Sequence, residues 1–320
     1  MYLIRGQHNL NLFLQRFPNI KLCGTIGNFD GLHLGHQAIL KQVKENAKKH
    51  NAKTIVFFTE PHASEYFAEK EGKNHIVPPR LCPWREKFQL LDRNSVDFGF
   101  FLKFNNSLQS MPPELFISVI LESMNLATFT VGDDFRFGAK RSGGIEQLKK
   151  WGANRGVVVE STKTVTYQGD RISSTRIRKS IMEDNFKLAE ELLGRPYTFS
   201  GKVVHGKHVG RTIGIPTANI WLPKQKLPIN GVYAVESFIK NKKYFGIANM
   251  GVRPTVEGIH PVLEVHLFDF DNNIYSKRLD VKFIKKIRDE KKFDNLDVLK
   301  LQILKDISVA KNILNNSNVN

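Results

Sequence analysis

Five short apolar runs, Leu22 to Ile26, Lys53 to Phe58, Phe98 to Leu102, Thr128 to Val131 and Gly156 to Glu160, are separated by longer segments of helical periodicity. Those segments include Trp84 to Leu91, Pro113 to Met124 and Gly144 to Ala153. Parallel strands need a crossover between them, and a helical crossover covers one sheet face. The alternation therefore predicts a parallel sheet flanked by helices. From Thr198 the texture changes to short strand-like runs: GKVVHG, NGVYAVESFIK, KKYFGIANMG, PVLEVHLFDF and LDVKFIKKIR. Turn residues such as Asn230-Gly231, Asn241 to Lys243 and Asp271 to Asn273 divide them, which predicts a small antiparallel barrel or sandwich. A closing helix carries an apolar stripe at Leu296, Leu299, Ile303, Ile307 and Ala310. Two periodicities in 320 residues argue for two domains, 1–184 and 185–320, with the boundary within or beside a connecting helix.

Composition narrows the setting without deciding the function. No apolar run approaches the roughly 20 residues of a membrane span, and the first residues lack a signal-peptide pattern. The two cysteines, Cys23 and Cys82, have no metal-ligand spacing and make no disulfide framework, so a reducing cytoplasm is the expected compartment. The net charge of +17 suits a nucleic-acid binder, yet the lysines are scattered in pairs. Anionic small-molecule substrates and a generally basic surface explain it equally well, and no nucleic-acid or membrane partner is expected. Self-association is left open.

The stretch GNFDGLHLGHQ, 27–37, follows the first apolar run. Gly27 and Gly31 permit turns and close approaches, and Leu40, Val43 and Ala47 continue at helical spacing. His33 and His36 thus stand at the start of a helix after a strand, where free N–H groups and a partial positive charge favour phosphate. Two imidazoles there suit nucleotidyl transfer, in which a substrate phosphate attacks the α-phosphate of a nucleoside triphosphate. One histidine as a helix cap and the other as a solvated residue is the plainer reading. VGDDFRFG, 131–138, follows another strand and falls at the same sheet end.

Three further segments carry chemistry. In SSTRIR, 173–178, Ser174 and Thr175 are helix-capping types that also meet phosphate oxygens, and Arg178 offers a bidentate fork. In GKHVGRTIGIPTANI, 206–220, Gly206, Gly210 and Gly214 leave room for a ligand, while Lys207 and Arg211 suit phosphates. Thr217 and Asn219, two apart on an extended segment, point to one face and suit Mg²⁺. In PVLEVHLFDF, Glu264 faces away from the Leu263, Val265 and Leu267 row, as a proton acceptor or as a solvated strand residue.

Taken in order, GNFDGLHLGHQ, VGDDFRFG, ISSTRIR, LLGRPY, GRTIGIPTANI, GVYAV, NMGVRPT and LEVHLFDF resemble the prokaryotic bifunctional riboflavin kinase/FAD synthetase family over nearly the whole chain. The resemblance implies a Rossmann-like nucleotidyltransferase domain that adenylylates FMN to FAD. It also implies a flavokinase-type antiparallel β-barrel with a terminal helix that phosphorylates riboflavin to FMN. ATP and Mg²⁺ would serve both. An alternative keeps one domain active and makes the other a flavin or nucleotide-binding module. By the resemblance, His33 and His36 are catalytic, with Gly27, Asn28, Asp134, Ser174, Thr175 and Arg178 around the nucleotide. Thr217 and Asn219 would hold metal and ATP phosphates, Glu264 would act as base, and Arg288, Phe137 and Pro61 would meet flavin. One departure is visible: FTEPHAS places Ala63 where the family commonly has a second proline.

Overall fold

The structure, a computed structural model, describes residues 1–73, 76–206, 209–222, 226–240, 242–255 and 258–317. It packs as two units, one of residues 1–78 with 84–173, the other of 79–83 with 174–320. The division falls between Ser173 and Ser174, upstream of the expected boundary at 184.

The first unit holds β1 (Tyr2–Arg5), β2 (Leu22–Ile26), β3 (Lys53–Glu60), β4 (Phe98–Lys103), β5 (Leu126–Gly132) and β6 (Val158–Thr162), ordered β1-β4-β3-β2-β5-β6. All neighbours are parallel. Strand alternation sorts the side chains: Leu22 joins an aromatic-rich core with Phe13, Phe57, Phe100 and Phe129, while Cys23 packs with Val43, Ala47 and Ala127 on the opposite face. Each of those phenylalanines is 0 % exposed, a burial of about 1.5–3 kcal/mol apiece. The helix Leu34–Lys49 covers the second face through Leu40, Val43 and Ala47, as its spacing predicts. A short hairpin, β7 (Thr166–Tyr167) with β8 (Asp170–Arg171), follows β6.

Two elements differ from expectation. The N-terminal strand β1, which the pattern did not reveal, pairs Tyr2 with Phe98 through Arg5 with Phe101 at the sheet edge. The segment expected as one helix from Pro113 is α-helical only over Pro113–Phe116 and continues as a π-helical stretch, Ile117–Leu121.

The second unit resolves the choice between barrel and sandwich. Strands β9 (Thr198–Val204), β10 (Ala218–Ile220), β11 (Gly231–Ile239), β12 (Lys242–Thr255), β13 (Gly258–Leu267) and β14 (Arg278–Arg288) close into a barrel, ordered β10-β13-β12-β11-β14-β9, with antiparallel neighbours. Leu263, Val265 and Leu267 are buried inside it. The terminal helix Leu296–Ser317 sets Ala310 and Leu314, with Ile303 and Ile307 beside them, against Ala234, Ile247 and Phe268.

Candidate functional site

Each unit carries a cavity at its sequence motifs. In the first, β2 lies between β3 and β5, so a crevice opens beyond the C-terminal ends of β2 and β5. A cavity of about 190 Å³ sits there, lined by Gly27, Phe29, His33, His36, Gly132, Asp134, Phe135, Thr164 and Arg171 among others. The turn from β2 passes Phe29 at φ 48° and Gly31 at φ 75°, a left-handed path that re-aims the chain into the helix. His33 caps that helix: its Nδ1 accepts the His36 backbone N–H at 3.3 Å. The capping reading therefore holds, and it sharpens the functional one. With Nδ1 an acceptor, the ring proton sits on Nε2 and leaves that nitrogen a donor.

The two imidazoles stack at 3.7 Å and 17°. Gly35, between them in sequence, keeps the contact loose: a Cβ there would lie 3.1 Å from the His33 ring and press on it. Burial pushes the His36 pKa well below 6.5, and the electrostatic influence of the neighbouring His33 and Lys87 acts in the same direction. His36 is therefore neutral at pH 7, a hydrogen-bonding group and not a fixed cation. Its Nδ1 is buried with no hydrogen-bond partner. Lys87 is itself fully buried, its Nζ 3.0 Å from His62 Nε2.

Asp134 lines the cavity but is paired. Arg171 Nη1 stands 2.8 Å from its Oδ2, and that contact holds the carboxyl below its ordinary range. Sequence reasoning missed Arg171, which ends a two-residue strand with no periodicity to mark it. Gly27 lines the cavity, whereas Asn28 is exposed beside it, accepting from Thr59 Oγ1 at 3.4 Å. Phe137, expected against flavin, is a core residue at 6 % exposure packed on Phe116, and Phe135 is the ring that lines this cavity. Pro61 does not line the cavity either. Ala63 stands at the first position of the helix Ala63–Lys70, where proline costs no hydrogen bond, so its presence leaves the helix start unaltered. Ser174, Thr175 and Arg178 stand on the helix Ser174–Met182, which packs in the second unit; Arg178 Nε donates to Pro79 O at 2.6 Å.

In the barrel, cross-strand register builds the site. Asn219 on β10 pairs with Glu264 on β13, Glu264 with Asn249 on β12, Asn249 with Val232 on β11, and Val232 with Arg288 on β14. All five residues line a cavity of about 360 Å³, together with Thr217, His266 and Asp306. Glu264 thus faces a cavity and not bulk solvent. Asn249, in the NMG motif, was not singled out from sequence; only the register with Glu264 reveals it.

The glycine loop explains itself at two positions. A Cβ on Gly206 would fall within 2.6 Å of Asn219 Oδ1, and one on Gly210 would lie 3.3 Å from Thr217 Oγ1 and collide with Ile215 O. His266 braces the same segment, its Nδ1 2.8 Å from Pro216 O. Gly214 has φ 81°, and Arg211 lines a neighbouring groove with Tyr275. Lys207 lies outside the described residues. Arg288 is gripped by Asp306 of the terminal helix, Nη2 to Oδ2 at 2.8 Å and Nε to both carboxylate oxygens.

Among the described residues there is no cluster of three or more His, Cys, Asp or Glu side chains suited to a metal. The oxygen donors of Thr217 and Asn219, held by close glycines, fit a hard cation that takes its other ligands from phosphates and water. They would suit neither zinc nor a soft metal.

Comparison with known proteins finds a match for each half of the chain. A family model described as FAD synthetase matches residues 18–176, and one described as riboflavin kinase matches 193–314. A bifunctional riboflavin kinase/FMN adenylyltransferase from Haemophilus influenzae is 43% identical over 318 residues, covering 98% of this chain and 100% of that protein. Its namesake from Escherichia coli is 43% identical and covers 97% of each, and that from Pseudomonas fluorescens is 39% identical with the same coverage. A crystal structure named as a macrolide-efflux protein from Streptococcus pneumoniae superposes with a TM-score of 0.74 at 32% identity, covering 92% of this chain and 95% of that one. Among the described residues of the present chain no helix is long and apolar enough to cross a membrane.

Proposed function

The chain belongs to the bifunctional riboflavin kinase/FMN adenylyltransferase family, and we propose from that membership how its two cavities divide the work. The barrel phosphorylates riboflavin to FMN with ATP, and the parallel-sheet unit adenylylates FMN to FAD with release of pyrophosphate. Matches to both family models disfavour the alternative in which one half is only a binding module.

In the barrel, Glu264 takes the proton of the riboflavin 5′-hydroxyl, whose oxygen bonds to the γ-phosphorus of ATP as the bond to the β-phosphate oxygen breaks. Thr217 and Asn219 would hold Mg²⁺, which when bound supplies charge neutralisation on the phosphates. Asn249 stands directly across the strand pair from Glu264 and offers the same cavity an amide. The observation that carries this reading is the unbroken cross-strand row from Asn219 through Glu264 to Asn249 on one cavity wall.

In the sheet unit the FMN phosphate oxygen bonds to the α-phosphorus of a second ATP as pyrophosphate leaves. The nucleophile is already an anion, so no base is required. His33 Nε2–H and the neutral His36 ring stabilise the developing charge, each donor contributing about 2.7–4 kcal/mol. Ser174, Thr175 and Arg178 contribute to nucleotide binding by their match to the family motif. A functional division at 184 falls in the segment that neither family model covers. A cytoplasmic setting and small-molecule partners, without nucleic acid, complete the proposal. Chromatography of products from riboflavin with ATP and Mg²⁺, beside a reaction started from FMN, tests it: FAD is expected from both, and FAD from neither overturns it.

A further inference from the structure

Arg288 ends the row of barrel residues that begins at Asn219, and its guanidinium is held from the terminal helix. Nε donates to Asp306 Oδ1 and Oδ2 at 3.1 and 2.9 Å, and Nη2 stands 2.8 Å from Oδ2. Gln302 Nε2 donates to Asp306 Oδ1 at 2.8 Å, and Arg288 Nη1 donates to Asp289 O at 2.9 Å. The pair is nearly buried, with 14% and 3% of side-chain accessibility left.

A buried ion pair is a poor means of merely fastening a helix to a barrel, because apolar residues of similar volume do so as well or better. The helix already has that fastening through Ile303, Ile307, Ala310 and Leu314. A bidentate pair adds direction, since it fixes the plane of the guanidinium. Here one edge is consumed by Asp306, and the cation stands 5.6 Å from the Phe293 ring. The N–H groups not used by Asp306 and Asp289, and the face turned away from Phe293, are therefore set in one orientation on the cavity wall. Such a surface recognises a flat heteroaromatic ring bearing carbonyl acceptors.

We propose that Asp306, backed by Gln302, is a positioning residue for riboflavin: from the terminal helix it orients Arg288 against the flavin ring. This rests on the assignment of the barrel cavity to riboflavin. Steady-state kinetics on the full chain test it with Asp306→Asn, which keeps size and one acceptor but removes the charge. Riboflavin KM is expected to rise about tenfold or more, the scale of a lost charge-assisted hydrogen bond. The kinase kcat and the KM for ATP are expected to stay within about threefold, because ground-state flavin binding is what is lost. FAD formation from FMN by the same preparation serves as the internal control. Arg288→Met is expected to raise riboflavin KM to the same extent, and the double variant to be no worse than the poorer single one, because the two residues act as a unit. Equal rises in both substrates' KM with a lowered Tm, or additive losses in the double variant, overturn the proposal. Should Asp306→Asn fail to fold, Gln302→Leu keeps the charge pair and carries the test: a raised riboflavin KM supports it, an unchanged one overturns it. Filling the cavity with Ile303→Trp separates the two levels. Unimpaired riboflavin phosphorylation there sinks the cavity assignment itself, whereas a block there with a silent Asp306→Asn sinks only the role of Asp306.

Discussion

The two cavities hold opposite chemistries for what is, at phosphorus, the same kind of displacement. The barrel cavity is built around a carboxylate flanked by amides, Glu264 between Asn219 and Asn249. The sheet cavity is built around two stacked imidazoles, with its Asp134 carboxylate tied to Arg171. The difference follows from the nucleophile. A ribityl hydroxyl enters protonated and needs an acceptor, whereas a phosphate enters as an anion and needs only donors and positive charge. A free carboxylate in the sheet cavity would repel both reactants, and Arg171 removes that repulsion.

The largest effect should come from deleting the acceptor. Glu264→Ala is expected to slow riboflavin phosphorylation by about 10²–10⁴-fold while FAD formation from FMN stays intact, as separate rate assays on one preparation will read. Loss of both activities would break the comparison at once. Next, His33→Ala and His36→Ala are each expected to slow FAD formation from FMN by about 10²–10³-fold, the cost of one transition-state donor, with FMN formation unchanged. A larger deficit for His33→Ala sharpens the picture, since that change also removes the helix cap, worth about 1 kcal/mol.

How much of this was legible in the sequence depends on which interactions are local. Strand-to-helix alternation gave β2 to β6, and the period-2 pattern gave the outward face of Glu264, because both periodicities are properties of a continuous segment. The edge strand β1 was hidden because its partner β4 lies far along the chain. Asn249 reads as one polar residue in KKYFGIANMG until register sets it beside Glu264. Asp306 directly precedes Ile307 on a helix that reads as amphipathic and so looks solvated, yet it is 2 % exposed. Phe135 and Phe137 are interchangeable in an irregular turn; the bridge between Phe137 and Gly143 is what turns the second ring into the core.

Smaller effects probe the supports of each site. Gly206→Ala would press a methyl group into the Asn219 amide, and is expected to raise the kinase KM for ATP about tenfold without touching adenylyl transfer, measured by ATP titration of both reactions. The smallest effect is on stability. Because the folded His36 pKa lies below 6.5, the unfolded chain takes up its proton first as pH falls. The stabilising contribution of neutral His36 is thus present above pH 6.5 and is lost as pH drops through 6.5 towards the folded value. Thermal melts from pH 8 to pH 5, roughly the window in which histidine titrates, are expected to show a shallower acid-side loss for His36→Asn than for the parent chain.

The central claim is that two complete, independent sites act in sequence, and complementation tests it most directly. Glu264→Ala and His36→Ala proteins are mixed and supplied with riboflavin, ATP and Mg²⁺, and FAD is measured by chromatography. Either variant alone should convert riboflavin to FAD about a hundredfold or more slowly than the parent chain, and the mixture should restore conversion through free FMN. A mixture that yields no FAD, with both proteins folded, would contradict the account.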